Sequence, residues 1–449
     1  MKNRSGPGSG ASSRPAVKPA PARKRPASAG PTASAEVALE KITPARLAAF
    51  EVLTLVGQNK GHSDELLHSA RVDALSPEDR NLTTTLVMGV LRWQIALDAR
   101  IRTLLQRPEQ RLAEPVAITL RLGAFQLLHL DRIPAHAALS ESVELSRAAG
   151  EPHATGMVNA VLRKLAAAQK PGARIHESVA AFAERLGHPR WLVERWVAAY
   201  GRDAALKICE ADQSEPVSGA MFSESGDDLP VMDDGSRLVA ELAAAAMPDA
   251  ERVWDCCAAP GGKTLILSRR LGSAEVTASD VSSKRLAQTE ARLRRYGYAE
   301  RVACVVADAS RATDIEGSFD LILCDVPCSG TGTLAANPEI RHRLKLEDLP
   351  RQVERQRAIL TGALKRLAPR GRLVYSTCSL EPEECEQVVE AVTSALSLRR
   401  VPVTGLIAEL AREGVLRAEP ISAVRDDALR TLPGVHGCDG FFAVVLERS

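Results

Sequence analysis

The chain has 449 residues, with 58 Lys and Arg against 56 Asp and Glu, and 45% of its residues are hydrophobic; that length gives room for about three domains with cores of their own. Residues 1–35 hold seven basic residues and no acid, so the remainder is slightly acidic, and a basic body cannot serve as an argument for nucleic-acid binding. Nine cysteines without a C-x-x-C pair, and histidines without finger spacing, argue against a metal and for free thiols; with no apolar run of about 18 residues and no secretory apolar core, a cytoplasmic protein without a membrane span is expected.

Residues 1–40, rich in Pro, Ala, Ser, Gly and basic residues, bury almost nothing and read as a disordered tail, either a solubilising segment or an RNA-contacting arm. Helical periodicity covers 44–170. Pro44 suits a first turn ahead of Ala45–Leu55; Leu86, Val90, Leu91 and Trp93 mark a second run; Asp98–Leu105, Val116–Leu130, Ala137–Ala149 and Met157–Ala168 follow. The apolar density of Val116–Leu130 predicts a central buried helix in a bundle of five to seven helices. Arg121, Arg132, Arg163 and Lys164 form a solvated face or meet phosphates. The segments Leu120-Arg-Leu-Gly-Ala-Phe-Gln-Leu-Leu128, Asp131-Arg-Ile-Pro-Ala-His136 and Val158-Asn-Ala-Val-Leu-Arg163 resemble the NusB-like domain, which implies contact with RNA or protein over 44–172.

Pro171-Gly172 marks a boundary. Residues 178–208 read as two or more helices anchored by Trp191, Leu192, Trp196 and Val197; tryptophans beside Leu and Val read as core rather than as base-stacking platforms. Residues 211–235 are loop-like and acidic, with Asp212, Glu215, Glu224, Asp227, Asp228, Asp233 and Asp234, and would repel a phosphate backbone. Ser236–Ala246 is a helix leading into a strand at 252.

From 246 to 449 strand and helix alternate. Strands are predicted near 252–255, 275–279, 302–306, 319–324, 371–376 and 440–446, and helices near 264–271, 282–295, 349–367 and 382–396. This is a Rossmann-like α/β domain with a mostly parallel sheet covered on both faces. Asp255-Cys-Cys-Ala-Ala-Pro-Gly-Gly-Lys-Thr264 reads as strand, tight turn and helix. Gly261 and Gly262 let the backbone approach a ligand, and the helix N-terminus offers unpaired N–H groups. The spacing is neither the dinucleotide nor the phosphate-loop fingerprint. Asp280 and Asp308 end the next two strands, where carboxylates can accept from ribose hydroxyls and from an adenine amine. Each alone reads equally as a helix cap; around one glycine turn they point to a nucleoside cofactor without phosphates.

So far the chain resembles class I S-adenosylmethionine-dependent methyltransferases. That resemblance implies that Cys257, Ala258, Ala259, Pro260, Gly261 and Gly262 cradle the amino-acid portion of S-adenosyl-L-methionine and that Lys263 neutralises its carboxylate, with Asp280, Asp308 and Asp325 completing the site. Two further strands end in Asp325-Val-Pro-Cys-Ser-Gly-Thr-Gly332 and Tyr375-Ser-Thr-Cys-Ser379. A lone cysteine is usually packing, as Cys324 inside its strand is expected to be; Cys256 and Cys257 also read as packing. Cys328 and Cys378, however, fall at the functional ends of adjacent strands. Pyrimidine C5 is a poor nucleophile until a thiolate adds to C6 and makes C5 enamine-like. Charge then develops at N3, where Asp325 is placed to help with a proton.

Together with Asn337-Pro-Glu-Ile-Arg341 and Gly437-Cys-Asp-Gly-Phe-Phe442, these motifs resemble the NOL1/NOP2/Sun family of RNA cytosine-5 methyltransferases. By that resemblance Cys378 is the nucleophile, Cys328 serves product release and Asp325 contacts the base. The NusB-like front end points to members acting on 16S ribosomal RNA; transfer RNA, or a non-catalytic RNA-binding assembly role, are the alternatives. Residues 173–245 then hold a helical linker and a shortened RNA-recognition region, and Ala335-Ala336 replace a basic pair usual in the family. The bundle, residues 333–350 and a close wall over Ser329–Gly332 are expected to support the RNA and its flipped base. No metal is implied.

Overall fold

The computed structural model describes residues 38–168, 177–216, 218–223, 229–394, 396, 398–418 and 421–448. Residues 1–37, Pro171-Gly172, Glu224, Asp227 and Asp228 lie outside them. Ala38 is buried, so packed chain begins inside the range expected for the tail.

Seven α-helices fill residues 44–167. Their apolar faces close on a core that includes Leu86, Val90, Leu120, Leu122, Val158 and Leu162, where hiding each large side chain is worth about 1.5–3 kcal/mol. The two runs expected at 86–93 and 98–105 are one 28-residue helix, Pro77–Leu104, capped by Ser76 Oγ accepting from the Asp79 N–H at 3.1 Å. No proline interrupts it. Arg121 does not face phosphates: its guanidinium forks onto Asp98 at 2.7 and 2.8 Å. Arg132, Arg163 and Lys164 are exposed.

The second half is built on nine strands: β1 (Arg252–Asp255), β2 (Glu275–Asp280), β3 (Val302–Val306), β4 (Phe319–Asp325), β5 (Leu367–Thr377), β6 (Leu398–Val401), β7 (Val424–Arg425), β8 (Ala428–Arg430) and β9 (Phe442–Arg448). Their order is β3-β2-β1-β4-β5-β9-β8-β7, with β6 also on β9. The first five are parallel, as the alternation predicts. Beyond β5 every pairing is antiparallel; β9 meets the strand predicted near 440–446, while β6, β7, β8 and the helix Val403–Arg412 are additions to the predicted elements. Chain order reverses between β1 and β4, which places a crevice at the carboxyl ends of those strands.

Three helices, Val179–Arg185, Arg190–Tyr200 and Arg202–Ala211, join the halves. Trp196 is core, as expected, but that core belongs to the catalytic loops: its Nε1 donates to Glu381 Oε1 at 3.1 Å, and Arg195 donates to Glu381 and Glu383 at 2.5 Å each. The acidic stretch is also used internally. Asp212 is buried 3.1 Å from His188 Nε2, Asp233 caps the helix Asp234–Ala246, and Asp234 accepts from the Gly219 and Met221 N–H groups.

The segment expected to support RNA is instead a clasp between halves. Arg341 is 2% exposed and donates to the carbonyls of Arg92, Gly187, Asp212 and Leu334 at 3.0–3.3 Å. Burial lowers its pKa only to about 10, so it stays cationic. Glu339 accepts from Ser63, His342 bonds the Leu91 carbonyl, and Arg343 donates to the carbonyls of Val56 and Gly61. Arg92 reaches back to the Ala335 carbonyl at 2.8 Å. Arg341→Met, which leaves those carbonyls without their donor, should lower stability on the order of 3 kcal/mol. Denaturant unfolding measures it; a loss below about 0.5 kcal/mol, the size of an ordinary surface substitution, would contradict the clasp.

Candidate active site

β4 ends at Asp325 and pairs with β5 in the register Asp325↔Ser376. Cys328 and Cys378 lie three and two residues beyond that pair, so the strand pairing itself brings the two loops together. Their sulfurs are 3.4 Å apart. The Gly332 N–H donates to the Cys378 carbonyl at 2.9 Å, a second cross-link between the loops. A Cβ at Gly332 would sit 2.2 Å from the Gly440 carbonyl oxygen, so only glycine lets the Gly437–Phe442 segment close over this loop.

Asp325 joins the two halves of the site. Its Oδ1 accepts from Ser376 Oγ at 2.7 Å, and its Oδ2 lies 2.7 Å from Lys263 Nζ. Lys263 was expected to meet a cofactor carboxylate; here it is occupied by Asp325 and lies 5.2 Å from the centre of the Phe441 ring. Burial disfavours its charge, but Asp325 outweighs burial and its pKa is raised.

A cleft of about 460 Å³ opens beside the sulfurs, with Cys257, Ala259, Asp280, Asp308, Asp325, Cys328 and Cys378 in its walls. Asp280 is nearly buried; its Oδ1 accepts from the Ser282 N–H, leaving Oδ2 3.6 Å from Arg285. Asp308 spends Oδ1 on the N–H and hydroxyl of Ser310, which hold its pKa below the ordinary value. A second cleft of about 310 Å³ adjoins the first through Cys257, Ala259 and Asp325, and takes in Ala258, Pro260, Gly262 and Lys263. Gly261 lines neither. At φ 92° it occupies the left-handed region, and a Cβ there would lie 2.8 Å from Thr289 Cγ2 and 3.2 Å from Thr289 Cα. Its missing side chain makes room for the helix Ser283–Arg295.

The other expectations divide in the same way. Cys256 and Cys324 are buried packing residues. Cys257 lies in both clefts, but hydrogen bonding to Cys256 and burial push its thiol well up, and it stays protonated. In the Ser329–Gly332 stretch, expected to form a close wall against the base, Ser329 turns inward toward Ser379 at 3.1 Å and Thr331 is buried, while Val326 and Pro327 line the cleft. Three residues passed over in the sequence are central here. Ser376 orients Asp325. Glu384, fully buried, binds both cysteine loops, and Gln356 Nε2 donates to it at 2.8 Å and to the Pro327 carbonyl at 3.1 Å. Glu384 stands among acids at 381, 383 and 386, a run that reads as solvated; its place six residues after Cys378 is the one signal available. Among the described residues no group of His, Cys, Asp and Glu could hold a metal ion, and no helix is long and apolar enough to cross a membrane.

A family model described as 16S rRNA methyltransferase RsmB/F matches residues 243–447, and a NusB family model matches residues 43–167. The chain is 30% identical over 457 residues to the probable ribosomal RNA small subunit methyltransferase B of Bacillus subtilis (strain 168), covering 91% of this chain and 100% of that protein. It is 33% identical over 396 residues to ribosomal RNA small subunit methyltransferase B of Pseudomonas putida, covering 77% and 88%. Among solved structures, the crystal structure of PH0851 shares the fold with a TM-score of 0.67 at 20% identity, over 91% of this chain and 99% of that one.

Asp255 gives this site a pH signature. It is 1% exposed, accepts from Thr264 Oγ1 at 2.7 Å and has no partner on Oδ1. Burial, with Asp325 adding, pushes its pKa up to about 7 against the opposing Thr264 bond and Lys263. A raised folded pKa gives stability that is complete below the unfolded value, about 3.9, and is lost as pH rises through about 7. Asp255→Asn keeps the Thr264 bond and removes the titration. Between about pH 4 and pH 7 the wild type should therefore lose up to about 4 kcal/mol relative to this variant. Parallel denaturation curves for the two proteins across that range would contradict it.

Proposed function

Because the chain belongs to the RsmB/F family of 16S rRNA methyltransferases, we propose that it methylates C5 of a cytosine in small-subunit ribosomal RNA through a covalent bond between Cys378 and C6 of the base. The observation that carries this reading is the 3.4 Å approach of the Cys328 and Cys378 sulfurs at the mouth of a cleft lined by Asp280, Asp308 and Asp325. The donor fits that cleft as a nucleoside: its walls carry carboxylates that suit ribose hydroxyls and an amine, and repel phosphates. S-adenosylmethionine, when bound, supplies an electrophilic methyl on a sulfonium.

The chain's own residues do the rest. Cys328 is held as a thiol by hydrogen bonding to Cys378 and by burial, which push its pKa well up. Cys378 is the sulfur that adds to C6, its proton passing to solvent as the bond forms. Asp325 contacts the base, with Lys263 behind it as a countercharge to the negative charge that builds on the ring. C5, made enamine-like, takes the methyl. C5 then gives its proton to water, the electron pair re-forms the C5–C6 double bond and Cys378 departs as the thiolate; Cys328, already in contact with Cys378, serves this release. A reducing cytoplasm keeps both sulfurs as thiols. Exposed Arg132, Arg163 and Lys164 give the bundle cations for RNA phosphates. A purely structural assembly role would leave the sulfur pair and the acidic cleft without a use.

Cys378→Ala should reduce methyl transfer to unmodified 16S rRNA by at least about 10³-fold, the scale of losing a nucleophile. Cys328→Ala should trap a protein–RNA adduct that survives denaturing electrophoresis. Methylation persisting without the Cys378 sulfur refutes the nucleophile, and turnover without adduct in Cys328→Ala refutes the release role.

A further inference from the structure

A reaction that adds one sulfur and releases it with help from another depends on where the two loops stand. Four donors converge on the carboxylate of Glu384. The Ser329 N–H and Gln356 Nε2 reach Oε1 at 2.9 and 2.8 Å. Ser379 Oγ reaches Oε2 at 2.6 Å, and Ser329 Oγ donates to the same oxygen. Ser329 follows Cys328 and Ser379 follows Cys378. A single carboxylate therefore grips the residue next to each sulfur. Its own backbone is pinned as well, since Tyr375 Oη donates to the Glu384 carbonyl at 2.7 Å. A fully buried carboxylate is costly, and the convergence of charge-assisted hydrogen bonds is what offsets the cost.

We propose that Glu384 is a positioning residue for the two-cysteine chemistry: by tying the Cys328 loop to the Cys378 loop it sets the sulfur–sulfur approach on which release of the methylated base depends. Glu384 touches neither base nor donor; it acts through Ser329 and Ser379. This inference rests on the covalent reading above. Without the carboxylate the loops are still joined by the Gly332–Cys378 backbone bond, by the Leu380 N–H donating to Thr331 Oγ1 and by the hydroxyl contacts of Ser379 with Ser329 and Thr331, none of which engages the Cys328 side chain. A displacement near 1 Å between reacting groups costs about 10²-fold, so release should fail before addition does.

The test uses the full chain, unmodified 16S rRNA and S-adenosylmethionine, with Glu384→Ala, Glu384→Gln, Ser379→Ala and Cys328→Ala compared for turnover, adduct and donor affinity. Glu384→Ala should accumulate adduct at least about 10-fold above wild type and lose turnover by a similar factor, with donor Kd within about twofold. Ser379→Ala should do the same to about threefold or more, and it decides the matter alone if Glu384→Ala does not fold. Glu384→Gln should keep turnover within about threefold, because both serine hydroxyls can rotate from donor to acceptor. Wild-type turnover without adduct in a folded Glu384→Ala or Ser379→Ala overturns the proposal, as does loss of turnover with donor affinity lost in step and no adduct. If Cys328→Ala accumulates adduct and these variants do not, only the positioning role fails; if Cys328→Ala turns over without adduct, the release role of Cys328 fails and the positioning role that rests on it fails too.

Discussion

Two sulfurs in van der Waals contact are an arrangement the chain must pay to hold. Each sits on an irregular loop, beyond the strand that could have fixed it, and the 3.4 Å approach of Cys328 and Cys378 survives because ties from several directions over-determine it. The parallel pairing of β4 with β5 sets the loops side by side. Glycine at 332 lets the C-terminal segment press on one loop, while Trp196, Arg195 and Tyr200 hold the stretch following the other through Glu381, Glu383 and the Leu380 carbonyl. Buried polar groups with every partner in place fix geometry more sharply than apolar packing does.

The same logic explains why the helical half is bound so closely to the catalytic half. The chain between the Cys328 loop and the helix Leu349–Leu364 is where Arg341 and its neighbours enter the bundle and the linker. A cationic side chain whose two terminal nitrogens donate to four carbonyls from three regions makes a tight joint. Whatever the exposed face of the bundle binds is therefore held at a set distance and angle from the cleft, which is what substrate positioning requires. Of the acids of the 211–235 stretch that the structure describes, Asp212, Asp233 and Asp234 are spent on internal bonds, while Glu215 is exposed.

Much of this was legible in the residues. Parallel strands covered on both faces are near-continuous apolar runs, and β1, β2 and β4 end in an Asp, so the sheet and the acids of the cleft could be read directly. The chemistry of pyrimidine C5 singled out Cys328 and Cys378 from nine cysteines. What was missed had several causes. Arg341, Glu384, Asp212 and Arg121 are charged residues whose default reading is a solvated face; only the fold reveals that they are buried or paired. The approach of Gly261 to Thr289 could not be read either: the helix near 282–295 was predicted, but not its packing against the glycine turn. The strands β7 and β8 have two and three residues, too short for alternation to register. The helix Pro77–Leu104 was split, although no proline or cap stands between its two runs to end it.

The most direct test is to identify the sulfur that bonds the ring. A 16S rRNA transcript carrying 5-fluorocytidine cannot lose a proton from C5, so the methylated adduct should persist. After digestion, mass spectrometry should find the methylated nucleotide on the peptide containing Cys378 and unmodified Cys328. Attachment at Cys328, or a stable enzyme–RNA mixture with donor consumed and no sulfur-linked nucleotide, would contradict the account.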